Sequence, residues 1–323
     1  MMKKRLSIAA ALVLVALNGG AGAAEYPARP IRMVVPYAPG GASDFFARIM
    51  AERFTAAWGQ QVIVDNRAGA GGNIGSDIVA KANPDGYTML LGTSGSNAVN
   101  PSLYAKLPYD AKRDLALIAM VASTANILVV RTQHPAKSVQ DIIRMAKANP
   151  GKVTYGSSGV GSVLHLSGEL LNTVVGIKMV HVPYKGTGPS MIDLLAGSID
   201  TVFSNLPPAV PFVNEGRMRG LAITTAARSP VLPNVPTMIE SGVPNYDVAS
   251  WFGVMVPAKT PAAIVEKVNR EVQRILKTPK TQEQLKSQGA DPMFKSAREA
   301  NAFFHEEIAK WAKVIKASGA KAD

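Results

Sequence analysis

Residues 31–44, IRMVVPYAPGGASD, decide the fold of this chain. A run of β-branched and apolar residues, 31–36, leads into a loop with two adjacent glycines, Gly40 and Gly41. Apolar residues then recur every three or four positions, as expected of a helix that Ser43 or Asp44 would cap. A buried strand that passes through a Gly-rich turn into a helix is the repeating unit of α/β proteins. The segment therefore predicts one βα unit.

The same alternation continues along the chain. Further strands are predicted at residues 61–65, 88–92, 153–155, 178–182, 201–204 and 220–224, with helices between them. Two longer apolar stretches, 117–130 and 251–257, do not fit a βα unit, and each is long enough to leave one lobe and enter another. They predict two crossing strands between two lobes, the first formed by residues 25–124 plus 250–323 and the second by residues 125–249.

Composition sets limits on the class of protein. The 323 residues are 47% hydrophobic and 18% charged, which is typical of a soluble globular protein. Two lobes agree with the length, because single cores stop growing at roughly 250–300 residues. Cysteine is absent from the sequence, and this excludes disulfides, Cys-ligated metal sites and a Cys nucleophile.

The N-terminus has the pattern of a secretory signal. Residues 1–24 begin with Lys3, Lys4 and Arg5, continue through twelve apolar residues, 6–17, and end in small residues. This apolar run is short for a membrane span of about 20 residues, so we expect cleavage after Ala24 or Ala23 and export of the mature chain. The alternative is an uncleaved membrane anchor.

Charge gives a weaker indication of the partner. Without the three basic residues of the signal, 32 basic residues stand against 23 acidic ones, a formal charge of +9. These residues are scattered, with no basic stripe interleaved with aromatic residues, so nucleic acid is not an expected partner. The charge supports mild attraction of anionic solutes.

Loops rich in Gly and Ser follow the predicted strands. They are PYAPGGASD (36–44), AGAGGNIGS (68–76), GTSGS (92–96), GSSGVGS (156–162) and YKGTGP (184–189). In open α/β sheets, ligands bind beyond the carboxyl ends of the strands, where backbone N–H groups and hydroxyls can hold an anion. A tight turn or a helix cap explains any one loop, but recurrence in both predicted lobes favours a site for a carboxylate.

No enzyme or metal motif emerges from the sequence. Residues 156–162 have the glycine spacing of a phosphate-binding loop, but Ser162 stands where the lysine is required. The glycines of 69–75 miss the dinucleotide pattern by one position, and no G-x-S-x-G motif occurs. The four histidines, His134, His165, His181 and His305, lack metal-site spacing, so neither a metal nor another cofactor is predicted. His165 is expected to orient the loop 156–162 by hydrogen bonds.

Five stretches together resemble the substrate-binding receptors of tripartite tricarboxylate transporters, also called Bug receptors. They are EYPARPIRMVVPYAPGGASDFFAR (25–48), VDNRAGAGGNIGSDIVAKANPDGYTMLLGT (64–93), YGSSGVGSVLHLSGELL (155–171), VPYKGTGPSMIDLLAGSID (182–200) and WFGVMVPAKTP (251–261). The resemblance covers nearly the whole chain after residue 24. It implies a periplasmic solute receptor, not an enzyme, with the two-lobed α/β fold of type II periplasmic binding proteins.

The resemblance also implies partners and site residues. A small carboxylate would bind in the cleft between the lobes, and the monomeric receptor would deliver it to a permease of one large and one small membrane subunit. The residues carried over as ligand contacts are Tyr37, Gly40, Gly41, Ser43, Asp44, Thr93, Ser94, Ser157, Ser158, Gly159, Ser162, Tyr184, Lys185, Gly186, Thr187 and Asn205.

The chain departs from the family at FSN (203–205), where an acidic residue is common. Ser204 or Asn205 at this position disfavours a ligand with an ammonium group, so we expect a carboxylate that is not an amino acid. Aromatic diacids, tricarboxylates, nicotinate-like acids and short dicarboxylates remain open. So do two other functions: an exported enzyme acting on a small carboxylate, with Asp44, His165 or Lys185 as acid or base, and a sensor that signals to a membrane partner.

Overall fold

The computed structural model describes residues 25–318 and 321–322. The predicted signal segment, residues 1–24, lies outside the described residues. The described chain forms two mixed sheets that share one long strand, and helices flank the strands. This is the α/β architecture expected from the alternating pattern.

The first sheet is built on three parallel strands, β1 (Ile31–Val35), β2 (Val62–Asn66) and β3 (Thr88–Thr93). β9 (Ala249–Pro257) pairs antiparallel with β3 and with β4 (Leu115–Arg131). A short strand, β10 (Ala290–Pro292), pairs with β4 at the edge. The middle strand β1 is almost entirely buried because helices cover both of its faces.

The second sheet repeats this plan. β5 (Thr154–Ser157) lies between β6 (Val180–Pro183) and β7 (Thr201–Asn205), and these three strands run parallel. The C-terminal half of β4 pairs antiparallel with β7 and with β8 (Met218–Ile223). β4 is therefore shared by both sheets, and it changes partners between Ala125, which lies opposite Ala249, and Asn126, which lies opposite Asn205.

Eleven helices connect these strands in the described part of the chain. They are α1 (Ala42–Trp58), α2 (Asn73–Ala80), α3 (Asn100–Leu103), α4 (Ala111–Asp114), α5 (Val139–Ala148), α6 (Val163–Val175), α7 (Thr187–Ala196), α8 (Leu206–Asn214), α9 (Ala262–Lys277), α10 (Pro279–Lys286) and α11 (Ala297–Ser318). A 3₁₀ turn (Ala70–Gly72) precedes α2 and a π-helical turn (Ser94–Val99) follows β3. Among the described residues, no helix combines the length and apolar character needed to cross a bilayer.

Each sheet has its own apolar core. Phe46 and Phe54 of α1 pack against the first sheet together with α9, and both side chains are fully buried. Tyr155, Phe203 and Tyr246 occupy the core of the second sheet. Two separate cores position the strand ends, and the loops that follow them, on either side of a central cleft.

Candidate ligand-binding cleft

The central cleft lies between the loops that follow β1 and β3 and the loops that follow β5, β6 and β7. It holds about 380 Å³ of space between protein atoms, part of it open to solvent, but only about 30 Å³ of this space is open to the centre of a water molecule, so the two sides of the cleft lie close together. The residues that line it are Tyr37, Gly41, Ala42, Ser43, Thr93, Ser94, Gly95, Ser158, Ser162, Val163, Leu164, Thr187, Asn205, Ser250 and Phe252.

Helix N-termini from both sheets converge on this cleft. Gly41 precedes α1 and Gly186 precedes α7, and neither helix has a side chain that caps its first N–H groups. Asn205 precedes α8, but Pro207 and Pro208 in the first turn of that helix have no N–H to donate, so the donors come from α1 and α7. Free N–H groups and the positive ends of the helix dipoles therefore face the cleft region, an arrangement suited to an anion.

The cleft itself carries no formal charge. Among the described residues that line it there is no Lys, Arg, His, Asp or Glu. Tyr37, at its wall, donates a hydrogen bond to the Gly71 carbonyl (3.2 Å), and burial raises the pKa of this phenol to about 12. Any anion in the cleft is therefore met by neutral N–H and O–H donors.

Asp44 lies behind the first loop and does not line the cleft. Its carboxylate accepts hydrogen bonds from Gly40 N (3.2 Å), Arg48 Nε (2.9 Å) and Asn66 Nδ2 (3.1 Å). Burial acts to raise the pKa of Asp44, but these hydrogen bonds outweigh it and hold the pKa below its usual value. The predicted cap was wrong: Gly41 is the N-cap of α1, and Asp44 fixes the backbone of the loop ahead of the helix.

The loop between β5 and α6 is fixed by hydrogen bonds of its own. Ser157 Oγ lies 2.7 Å from His181 Nε2 and accepts from Gly159 N (3.0 Å). Gly161 N donates to His165 Nδ1 (3.3 Å), which confirms the predicted role of His165. Ser162 caps α6 by accepting from His165 N (3.1 Å). Ser158 is left facing the cleft.

His165 and His181 are stacked behind this loop, with ring centroids 4.1 Å apart. Burial lowers the pKa of His165. Burial and the neighbouring His165 lower the pKa of His181 to about 3. Both rings are therefore neutral near pH 7, as the hydrogen bond from Gly161 N to His165 Nδ1 requires. Within the described residues, no group of three or more acidic or histidine side chains is arranged to hold a metal ion.

Three other predicted site residues lie at an outer opening. Gly159, Tyr184 and Lys185 line a second cavity, which shares Tyr37 and Ser158 with the central cleft. The Tyr184 hydroxyl donates to Asp193 (2.7 Å), and the Lys185 side chain is exposed. The Lys185 carbonyl accepts from Ala38 N (2.8 Å), so this loop contacts the first-sheet side through its backbone.

The structure thus brings part of the predicted set into the cleft and leaves the rest around it. The predicted residues that line the cleft are Tyr37, Gly41, Ser43, Thr93, Ser94, Ser158, Ser162, Thr187 and Asn205. Those outside it are Gly40, Asp44, Ser157, Gly159, Tyr184, Lys185 and Gly186. Sequence reasoning missed Ser250 and Phe252 of β9. Because side chains alternate between the two faces of a strand, Ser250 and Phe252 lie on the face opposite Trp251. This alternation is the sequence signal that could have identified them.

Comparison with known proteins decides the family. The family model described as "Tripartite tricarboxylate transporter family receptor" matches residues 46–320. The chain belongs to this receptor family. Protein BugT of Bordetella pertussis is 39% identical over 297 residues, which cover 92% of this receptor and 91% of BugT.

Solved structures agree with this assignment. Rpa4515 of Rhodopseudomonas palustris, solved with adipate, is 39% identical to this receptor and has a TM-score of 0.87, with 91% of this receptor and 99% of Rpa4515 covered. MatC from the same organism, solved with bound malate, is 32% identical with a TM-score of 0.85, covering 90% and 100% of the two chains. The periplasmic binding protein BugD is 34% identical with a TM-score of 0.88, covering 92% and 100%. This receptor therefore has the fold of the periplasmic solute-binding receptors, a family of receptors and not of enzymes.

Proposed function

We propose that this receptor captures a small carboxylate in the central cleft and delivers it to a tripartite tricarboxylate-type secondary transporter. The transporter would consist of one large and one small membrane subunit. Support comes from relatives of the same family that bind adipate and malate and from the family to which the chain belongs. Export by the signal segment 1–24 would place the mature receptor in the periplasm.

The observation that carries this proposal is the convergence of uncapped helix N-termini on a cleft without formal charge. Each hydrogen bond to a charged group contributes about 1.5–3 kcal/mol, and a helix N-terminus adds about 0.3–1 kcal/mol. A micromolar complex needs about 8 kcal/mol. Several such contacts reach that value when losses on binding are small.

We propose two roles for the predicted site residues. Direct contact with the ligand belongs to the residues that line the cleft: Tyr37, Gly41, Ser43, Thr93, Ser94, Ser158, Ser162, Thr187 and Asn205. Support of the loops belongs to Gly40, Asp44, Ser157, Gly159, Tyr184, Lys185 and Gly186. Asp44 and Ser157 act in this way through the hydrogen bonds that hold the two loops.

Ligand binding would close two lobes, residues 25–124 plus 250–323 and residues 125–249, about β4, which both sheets share, and the start of β9, which pairs with β4 beside the junction. The contact between Ala38 N and the Lys185 carbonyl supports this proposal, because it joins loops from opposite sides of the cleft. The hydrogen bond from the Tyr104 hydroxyl to the Val160 carbonyl (3.2 Å) is a second contact between the two sides of the cleft.

The test is a melting experiment on the mature receptor, freed of ligand by unfolding and refolding. A carboxylate at about 100 times its dissociation constant should add about 2.7 kcal/mol to the free energy of unfolding and raise the melting temperature by several degrees. The corresponding neutral amides are the controls. If carboxylates and amides alike left the melting temperature unchanged, carboxylate capture would be contradicted.

A further inference from the structure

A buried asparagine lies where the two sheets meet. Asn126 is the residue at which β4 leaves its pairing with β9 and begins its pairing with β7, and it is fully buried. Its Oδ1 accepts one hydrogen bond from Asn205 Nδ2 (2.7 Å) and another from Ser250 Oγ (2.9 Å), whereas its Nδ2 is buried and makes no hydrogen bond with the described residues. Asn205 and Ser250 both line the cleft, so Asn126 fixes two cleft side chains from behind.

These bonds determine which atoms the two side chains offer to a ligand. Asn205 Nδ2 gives one of its two N–H groups to Asn126, and among the described residues no hydrogen bond is made to Asn205 Oδ1. Ser250 gives its proton to Asn126, which leaves lone pairs on its oxygen. The end of the cleft beside the junction of the two sheets thus presents two hydrogen-bond acceptors and the remaining N–H of Asn205, while the helix N-termini of α1 and α7 present donors only.

The two acceptors require a donor on the ligand, and the remaining Asn205 N–H requires an acceptor. A second carboxylate oxygen would accept from that N–H but would be repelled by the two acceptors, and an apolar CH₂ would leave all three groups unsatisfied. An ammonium group could donate, but the lining of the cleft carries no negative charge to compensate it. A hydroxyl can both donate to an acceptor and accept from an N–H without bringing charge.

We propose that Asn205, positioned by Asn126, makes the cleft selective for carboxylates that carry a hydroxyl group. Carboxylate capture by this cleft is the proposed function on which the inference rests. Asn126 acts as a positioning residue, because it reaches the ligand only through Asn205 and Ser250. The amino-acid sequence predicts from Asn205 only that the ligand is not an amino acid. The hydrogen bonds of Asn205 add a positive statement, namely that the ligand carries a hydroxyl group.

The test compares matched acids that differ by one group. Isothermal titration calorimetry on the mature receptor would measure the dissociation constant of each acid. Malate is compared with succinate and aspartate, 2-hydroxyglutarate with glutarate, and citrate with tricarballylate. Both enantiomers of each chiral acid are used. We expect at least one hydroxy acid to bind about tenfold or more tightly than its deoxy partner, because one or two net hydrogen bonds are gained. Aspartate should bind more weakly than malate.

Variants identify the residues responsible. Asn205→Leu keeps the shape of the side chain without its acceptor, so the ratio between hydroxy and deoxy acid should fall towards one. Ser250→Ala should lower the same ratio in part, and Asn205→Asp should improve the binding of aspartate relative to malate. Asn214→Leu, at the exposed C-terminal end of the same helix α8, is the matched control and should leave the ratio unchanged.

The outcomes separate the two proposals. Equal binding of hydroxy and deoxy acids by the unmodified receptor, or a ratio that survives in Asn205→Leu, overturns the hydroxyl selectivity and leaves carboxylate capture standing. If none of the acids binds, carboxylate capture is overturned, and the hydroxyl selectivity is overturned with it. A folded state of each variant is checked by its circular dichroism and melting curve, and Ser250→Ala provides a second measurement if Asn205→Leu does not fold.

Discussion

Ser158 is the side chain on which residue-scale recognition can be tested most simply. It lines the cleft and is almost buried, and its hydroxyl makes no hydrogen bond with the described residues. We expect Ser158→Ala to weaken carboxylate binding roughly tenfold to a hundredfold, because a hydrogen bond to a charged group contributes about 1.5–3 kcal/mol. Titration calorimetry would measure the change.

Lys185→Ala is the control for that prediction. The Lys185 side chain is exposed at the outer opening, and its contact with the first-sheet side uses the backbone carbonyl. Its loss should change the affinity less than about threefold, because interactions of exposed charges contribute 0–1 kcal/mol. An unchanged affinity in Ser158→Ala, or a loss of more than about threefold in Lys185→Ala, would contradict the proposal that the cleft and not the outer opening contacts the ligand.

The stacked histidines give the receptor a pH-dependent stability. Burial and the neighbouring His165 lower the pKa of His181 to about 3, against an ordinary value near 6.5 in the unfolded chain. Above pH 6.5 both states are neutral. As the pH falls from 6.5 towards 3, His181 binds a proton in the unfolded chain but not in the folded protein. The free energy of unfolding therefore decreases.

His181→Gln tests this dependence, because Gln can retain a hydrogen bond to Ser157. Denaturant unfolding between pH 6.5 and 4.5 should show a slope smaller than that of the unmodified receptor by up to about 1.4 kcal/mol per pH unit. Carboxylates titrate mostly below this window. Parallel curves for the two proteins would show that His181 is not the titrating group.

At the scale of elements, α7 meets the first loop through a glycine. A side-chain Cβ on Gly188 would overlap the Pro39 carbonyl oxygen, which lies on the opposite side of the cleft. Gly188→Ala should therefore weaken ligand binding at least tenfold by holding the two loops apart, while the ligand-free protein keeps its melting temperature. The measurements are titration calorimetry and differential scanning calorimetry.

Gly216→Ala is the matched control, because a Cβ there meets no atom within 4 Å. Its positive φ of 69° predicts a loss of stability of up to about 1 kcal/mol without a loss of affinity. If Gly188→Ala bound ligand like the unmodified receptor, the contact between α7 and the first loop would have no part in binding.

Most elements were predictable from the sequence because their signals are local. The β-branched run 31–36 and the apolar spacing at Phe46, Ile49, Met50 and Phe54 correspond to β1 and α1. β10 (Ala290–Pro292) was missed, since a three-residue strand that includes a proline has no periodicity to detect. Its pairing with β4 depends on a neighbour far away in the sequence.

The site was predictable only where a loop follows a strand. Ser158 and Thr187 belong to Gly-rich loops and were predicted, whereas Asn126 lies within the apolar stretch 117–130, where the sequence indicates only a crossing strand. Its role depends on Asn205 and Ser250, 79 and 124 residues away along the chain. The contact between His165 and His181 likewise arises from the packing of α6 against β6, which no spacing in the sequence reveals.

At the scale of the whole molecule, the two sides of the cleft are joined by polar and apolar contacts. Val99 and Leu103 from the first-sheet side share an apolar cluster with Val163 of α6 and Ile315 of α11. We propose that these contacts form when the cleft closes, and we therefore expect the ligand-free receptor to populate a more open form. Small-angle X-ray scattering should then show a smaller radius of gyration with bound carboxylate. An unchanged radius at saturation would contradict lobe closure.

The most direct measurement of the central claim is a calorimetric titration of the ligand-free mature receptor with a carboxylate and with its neutral amide, at low and high salt. Capture by N–H and hydroxyl donors inside the cleft predicts that the carboxylate binds and the amide does not. It also predicts an affinity that changes little with salt, since the cleft lining carries no charged side chain. Equal binding of acid and amide, or an affinity that collapses at high salt, would contradict the account.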